Sequence, residues 1–127
     1  MILADTSVWV DHLRRSDAQL RAALDADEIC MHPMVIGEIA CGNLRNRTIL
    51  VQMQLLQPAT VAAHDEVLAM IEQHKLMGRG VGFVDAHLLA SAKLSKAALW
   101  TRDKRLAAIA EEFGLGVGAK GLHHISA

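Results

Sequence analysis

Four acidic residues stand where short elements of predicted secondary structure begin or end, or inside one of them. Asp5 ends an apolar run, Asp103 follows another, and Asp85 opens a helix after a glycine-rich stretch. Glu38 differs, because it lies inside a predicted helix over residues 33–41. The carboxyl ends of parallel strands meet at one sheet edge, where ligands bind. We therefore expect Asp5 and Asp103 at this edge, with Asp85 and Glu38 on helices that flank it.

Each acid also has a purely structural interpretation. Asp5 and Asp103 can cap helices, and Asp85 lies in a first helical turn, where the helix dipole favours a carboxylate by a few tenths to about 1 kcal/mol. Glu38 can be an ordinary exposed helix residue. For Asp5 alone the two interpretations are evenly balanced, and the recurrence of the setting along the chain favours a shared site.

A shared site of carboxylates indicates a particular chemistry. Carboxylates brought together repel one another and raise each other's pKa, and a divalent cation removes this penalty. Carboxylate and water ligands without His or Cys select a hard ion, Mg²⁺ or Mn²⁺. Such an ion can activate water, hold a phosphate oxygen and neutralise a leaving oxygen. The four acids therefore indicate hydrolysis of a phosphodiester.

The four acids lie in motifs that resemble PIN-domain ribonucleases of the VapC toxin group, from bacterial or archaeal toxin–antitoxin modules. The motifs are LADTSVW at residues 3–9, IGEI at 36–39, FVDA at 83–86 and LWTRD at 99–103, and the resemblance covers nearly the whole chain. It implies a metal-dependent endoribonuclease whose catalytic and metal-site acids are Asp5, Glu38, Asp85 and Asp103. It also implies supporting hydroxyls on Thr6 or Ser7 and on Thr101.

The resemblance implies a mechanism and partners as well. Asp5 and Asp85 would be the main ligands of Mg²⁺ or Mn²⁺, while Asp103 would complete the shell or bind a second ion. Glu38 would hold or deprotonate a water, and Thr101 would orient a carboxylate. The water would attack phosphorus in line, leaving a 5′-phosphate and a 3′-hydroxyl. The expected partners are RNA, a small antitoxin that blocks the acidic pocket, and a second copy in a homodimer.

Basic residues near the predicted site are candidates for RNA contacts. Arg102 and Lys104 flank Asp103, so they have the strongest claim on RNA phosphates, although such side chains more often form a solvated face. The pair His123 and His124 could take up a stray metal, and we assign it no role.

Composition sets the frame for these motifs. With 127 residues and a net charge of −1, the chain is expected to form one domain over residues 1–127, without global attraction to nucleic acid. Its two cysteines suggest reduced thiols in the cytoplasm. A zinc site of Cys30, His32 and Cys41 is conceivable but lacks a fourth ligand. We expect no signal peptide and no membrane span.

Strands alternating with helices predict a three-layer α/β/α fold with a short, mainly parallel sheet. The expected strands are residues 28–31 and 98–101, besides the N-terminal run and a weak final strand at 123–125. The expected helices are residues 7–13, a second one capped by residues 16–17, 33–41, 48–56, 61–77, 83–96 and 103–113. Residues 78–82 form a predicted flexible glycine hinge.

Other classes fit less well or stay open. A haloacid-dehalogenase-like phosphatase needs an acid two residues after Asp5, where Ser7 stands. A receiver domain needs an early pair of adjacent acids, but Ala4 and Thr6 flank Asp5. An RNA-processing enzyme or DNA nuclease of the PIN class that is not a toxin, and a catalytically silent PIN-like binding module, remain alternatives.

Overall fold

The computed structural model describes residues 1–117, in which short strands alternate with helices. In chain order the elements are β1 (Ile2–Ala4), α1 (Thr6–Arg14), α2 (Ala18–Asp25), β2 (Ile29–Met31), α3 (Pro33–Ala40), α4 (Ile49–Gln54), β3 (Gln57–Pro58), α5 (His64–His74), α6 (Phe83–Ser95), β4 (Ala98–Trp100) and α7 (Lys104–Glu112). The weak final strand predicted near His123 and His124 lies outside the described residues.

The strands form one parallel sheet with the order β3-β2-β1-β4. In the central strand, Leu3 is opposite both Cys30 of β2 and Leu99 of β4. Every residue of β1, β2 and β4 is buried, as expected for a parallel sheet that helices cover on both faces. Helices α1 and α6 contact β1, and α7 contacts β4. The predicted α/β fold with a parallel central sheet is confirmed.

Polar side chains immediately before α2 and α3 explain why these helices begin where they do. Asp17 accepts a hydrogen bond from the Leu20 N–H (2.9 Å), which starts α2. His32 accepts one from the Met34 N–H (3.0 Å) through Nδ1, which starts α3 just before Pro33. A side-chain acceptor at this position satisfies an N–H of the first turn that has no partner inside the helix.

Two predicted boundaries are wrong. The helix expected over residues 61–77 is shorter (His64–His74), because the N–H of Ala63 donates to the Glu66 side chain (2.8 Å) and Lys75 adopts a left-handed conformation (φ 53°). The helix expected over residues 48–56 ends earlier, at Gln54, and the dipeptide Gln57–Pro58 that follows forms the edge strand β3. Proline is tolerated there because an edge strand leaves one side of its backbone unpaired.

The predicted glycine hinge at residues 78–82 is held against α7. Arg79 forms a two-pronged ion pair with Glu112, with nitrogen–oxygen distances of 2.8 and 2.6 Å. A Cβ atom at Gly80 would stand 2.6 Å from the Arg105 side chain, and φ at this glycine is +82°. The loop that leads into α6 therefore depends on contacts with α7 and on glycine's access to positive φ.

None of the helices in residues 1–117 is long and apolar enough to cross a membrane.

Candidate active site

Asp5 lies at the carboxyl end of the central strand and is only 5% exposed. Its backbone N–H donates to the Trp100 carbonyl (2.9 Å), which extends the pairing of β1 with β4 by one residue. Oδ1 accepts from the Ser7 hydroxyl (2.5 Å) and from the Val8 N–H (3.3 Å), and Oδ2 accepts from the Thr101 hydroxyl. Asp5 is thus both the N-cap of α1 and the buried centre of a polar cluster.

Thr101 and Asp103 follow β4, the neighbour of β1, so they stand at the same sheet edge as Asp5. The N–H of Asp103 donates to Thr101 Oγ1 (3.0 Å). Asp103 Oδ1 caps α7 by accepting from the N–H groups of Arg105 (2.8 Å) and Leu106 (3.1 Å). Asp103 is exposed, so its other carboxylate oxygen is open to a ligand.

Glu38 reaches the cluster from α3, which packs against α1. Its Oε1 accepts a hydrogen bond from the Thr6 hydroxyl (2.6 Å), although the two residues are 32 positions apart in sequence. Thr6 is the first residue of α1 and directly follows Asp5. The two neighbouring hydroxyls therefore orient different acids: Thr6 bonds Glu38, and Ser7 bonds Asp5.

Asp85 joins from the first turn of α6, where the Gly82 N–H donates to Oδ2 (3.1 Å). Burial raises the pKa of Asp85, and the Gly82 hydrogen bond partly offsets this increase. Three further negative charges add to the increase: Asp5, Asp103 and Glu38. The four predicted acids therefore share one electrostatic environment at the carboxyl edge of the sheet.

The side chains are not prearranged as a closed metal cage. Within residues 1–117 no group of three or more His, Cys, Asp and Glu side chains is close enough together to hold one ion. Asp5 and Glu38 are turned toward the hydroxyls that bond them. Mg²⁺ retains several of its waters and binds proteins through few carboxylates, so an open set of this kind fits a hydrated hard ion.

The predicted RNA-binding residues differ in their contacts. The Arg102 guanidinium already has partners within the protein. It pairs with Asp17 and, at 3.3 Å, with Asp11, and it lies 5.4 Å from the centre of the Trp100 ring. Its backbone N–H donates to Ser7 Oγ (2.9 Å). Lys104 is exposed in the first turn of α7.

The conceivable zinc site is not formed. Cys30 is buried and its thiol contacts the Ile2 carbonyl oxygen, whereas Cys41 is exposed. His32 is fully buried and both of its ring nitrogens are in use, Nδ1 with Met34 and Nε2 with Ser91 Oγ at 3.0 Å. Sequence reasoning missed the His32–Ser91 contact, because Ser91 stands in an unremarkable helical stretch. The only signal was a helix that opens with His rather than Ser, Thr, Asp or Asn.

The fold and the site together define a class: a parallel α/β protein with carboxylates gathered at the carboxyl edge of its sheet. The sequence matches the PIN-domain family over residues 2–112. The chain belongs to this family, which confirms the resemblance inferred from the four motifs.

Individual relatives make the comparison more specific. The chain is 47% identical over 119 residues to ribonuclease VapC32 of Mycobacterium tuberculosis, in strains CDC 1551 / Oshkosh and ATCC 25618 / H37Rv. The alignment covers 92% of this chain and 96% of that protein. The crystal structure of PAE2754 from Pyrobaculum aerophilum has a TM-score of 0.56 at 21% identity, covering 84% of this chain and 77% of that one, and supports the fold alone.

Proposed function

We propose that this chain is a metal-dependent endoribonuclease, the toxin of a toxin–antitoxin pair, which hydrolyses RNA phosphodiester bonds with water. The observation that carries the proposal is the convergence of four acids: Asp5 and Asp103 follow the adjacent parallel strands β1 and β4, and Glu38 is hydrogen-bonded to Thr6 beside Asp5. Asp85 lies near enough for all three charges to raise its pKa. If the four acids served only to stabilise helices, they would not need to lie near one another. RNA is chosen as the substrate because the chain is 47% identical, over 92% of its length, to a protein named a ribonuclease.

Mg²⁺ or Mn²⁺ is the proposed cofactor. Asp5 and Asp85 would hold it, directly or through water, Asp103 would complete the shell or bind a second ion, and Glu38 would reach it through water. When bound, such an ion supplies Lewis-acid chemistry, since it activates water and neutralises the charge that develops on the phosphate. The protein's contribution is orientation. The Ser7 and Thr101 hydroxyls hold both oxygens of Asp5, so this carboxylate is fixed before any ligand arrives.

Glu38 is the proposed acceptor of a proton from the attacking water. It is exposed, so water reaches it freely, and the Thr6 hydroxyl occupies only Oε1 (2.6 Å). Oε2 is then left to accept from water. A hydrolytic route of this kind yields a 5′-phosphate and a 3′-hydroxyl, and it does not use the RNA 2′-hydroxyl as nucleophile.

The test is cleavage of a mixed RNA pool by the purified protein, with Mg²⁺, with Mn²⁺ and with a chelator, followed by sequencing and chemical analysis of the new ends. We expect cleavage that needs the divalent ion and leaves 5′-phosphates. Asp85→Asn should be inactive, while Asp25→Asn, an exposed change at the end of α2, should match the unaltered protein. Products with 2′,3′-cyclic phosphates, or full activity in chelator, would contradict the proposal.

The proposed partners follow from the same family. A small antitoxin would cover the acidic edge, and a groove of about 760 Å³ that includes Glu38 in its lining offers an adjoining surface. Its apolar lining includes Val10, Leu13, Ile39 and Leu44, and its basic residues are Arg14 and Arg45. A homodimer is proposed as well. Size-exclusion chromatography with light scattering tests the dimer, and co-expression with the product of a neighbouring short reading frame tests the antitoxin.

A further inference from the structure

A buried hydrogen-bonded bridge connects the helix that carries Glu38 to the helix that carries Asp85. His32 ends the link from β2 into α3, and Ser91 lies in the middle of α6, 59 positions further along the chain. Both side chains are fully buried, with 0% exposure. Buried polar groups that are fully hydrogen-bonded specify one arrangement of their neighbours, because any other arrangement leaves them without partners.

The hydrogen bonds fix the direction of this bridge. The Met34 N–H donates to His32 Nδ1 (3.0 Å), so Nδ1 carries no proton and the ring hydrogen is on Nε2. Nε2 therefore donates to Ser91 Oγ, which lies 3.0 Å away. Burial, with a smaller contribution from the neighbouring His87, lowers the pKa of His32 to about 4, so the imidazole stays neutral near pH 7.

Ser91 is also tied to a third part of the fold. Its Oγ accepts from the Ala62 N–H (3.3 Å), just ahead of α5. One helical turn later, Ser95 Oγ accepts from the Thr60 N–H (2.8 Å). Helix α6 is thus hydrogen-bonded both to the segment before α5 and to the start of α3.

We propose that His32 and Ser91 are positioning residues that set the spacing between Glu38 on α3 and Asp85 on α6, and so the affinity of the site for its divalent ion. The inference rests on the proposed function, because it assumes that both acids serve one ion. Neither residue touches the reacting atoms. His32 is six positions from Glu38, and Ser91 is six positions from Asp85. Less than two helical turns therefore separate each bridge residue from its acid, so a shift at the bridge also moves the acid.

Two substitutions at His32 separate its roles. Asn places its Oδ1 where the imidazole has Nδ1, so His32→Asn keeps the helix cap and loses the reach to Ser91. Gln extends to the region of Nε2, so His32→Gln keeps the reach and weakens the cap. Ser91→Ala removes the acceptor and leaves His32 in place. Ile109→Val, a fully buried change in α7 away from the bridge, controls for general loss of stability.

The first measurement is titration of each folded variant with Mn²⁺ alone. We expect the Kd for Mn²⁺ to rise about tenfold in His32→Asn and Ser91→Ala, with cleavage recovering at saturating Mn²⁺. The Kd should return toward the original value in His32→Gln and stay unchanged in Ile109→Val. An unchanged Kd in both bridge variants, or an equal rise in Ile109→Val at a matched loss of Tm, would overturn the proposal.

The second measurement needs neither metal nor RNA. Spin labels on the exposed Cys41, at the end of α3, and on Leu94→Cys, at the exposed end of α6, report the distance between these helices. We expect the distance distribution to shift or broaden in His32→Asn and Ser91→Ala and to stay narrow in Ile109→Val. No change in the bridge variants would refute the positioning role. If the unaltered protein binds no Mn²⁺, the proposed function fails, while the label distances still decide whether the bridge sets the spacing.

Discussion

Thr101 donates its hydroxyl hydrogen to Asp5 Oδ2 across 96 positions of sequence. The same Thr101 oxygen accepts the N–H of Asp103 at 3.0 Å. One hydroxyl therefore couples the acid that follows β1 to the acid that follows β4. This coupling is possible only because the two strands are parallel neighbours, which brings both of their carboxyl ends to one edge.

The Thr101 hydroxyl can be removed with little change in shape by Thr101→Val. We expect RNA cleavage to fall about tenfold or more, because Asp5 loses the donor that orients it. The free energy of unfolding should fall by about 1–3 kcal/mol, since a buried carboxylate oxygen loses its partner. Thr101→Ser restores the hydroxyl and should recover most of the activity. Wild-type cleavage rates in Thr101→Val would remove Thr101 from the site.

Asp5→Asn tests the centre of the cluster. A neutral amide is a poor ligand for a hard cation, and its NH₂ group cannot accept a hydrogen bond, so it cannot replace the carboxylate oxygen that now accepts from the Ser7 or the Thr101 hydroxyl. We expect a loss of cleavage of at least about 100-fold together with loss of the Mn²⁺-induced rise in Tm. Circular dichroism should show an intact fold. Retained cleavage at the original rate would show that Asp5 is not a ligand.

Asp85 provides a prediction about pH. Its pKa is raised in the folded protein, so the folded state binds this proton more tightly than the unfolded state. The stability contributed by Asp85 is then complete below its unfolded pKa and is lost as pH rises through the higher folded pKa. At pH 7 the ionised carboxylate therefore destabilises the metal-free protein.

Asp85→Asn should accordingly stabilise the metal-free protein while abolishing cleavage. We expect Tm at pH 7 to rise on the order of 1–3 °C, because the amide oxygen can still accept from the Gly82 N–H. This advantage should disappear as pH falls to about 4. Thermal scans across pH provide the measurement, and an equal Tm difference at every pH would argue against the raised pKa.

Salt titration distinguishes the two basic residues beside Asp103. Lys104 is exposed, so Lys104→Ala should weaken RNA binding and reduce the slope of log K against log salt by about one. Arg102 already pairs with Asp11 and Asp17, so Arg102→Ala should lower Tm and leave that slope nearly unchanged. A slope reduced equally by both substitutions would mean that Arg102 leaves its partners to bind phosphate.

Sequence reasoning placed the four candidate acids more accurately than it placed some of the surrounding elements. Strand ends and helix caps are local features, so Asp5, Asp85 and Asp103 could be assigned to the correct junctions from the residues beside them. The pairing of Gln57–Pro58 with β2 depends on tertiary structure, and two exposed residues carry no local pattern that predicts a strand. The contacts of Ser91 and Arg102 likewise join distant segments, and no local pattern predicts such partners.

The position of β4 has a consequence for synthesis on the ribosome. A nascent chain exposes Asp5 and Glu38 early, but Thr101 and Asp103 emerge only after α6 has been translated. Until β4 pairs with β1, Asp5 lacks the Thr101 hydroxyl, and its neighbouring acid Asp103 is missing. If the proposed function holds, the growing polypeptide therefore cannot cleave RNA for most of its elongation, because the acidic site is assembled only once β4 has been made.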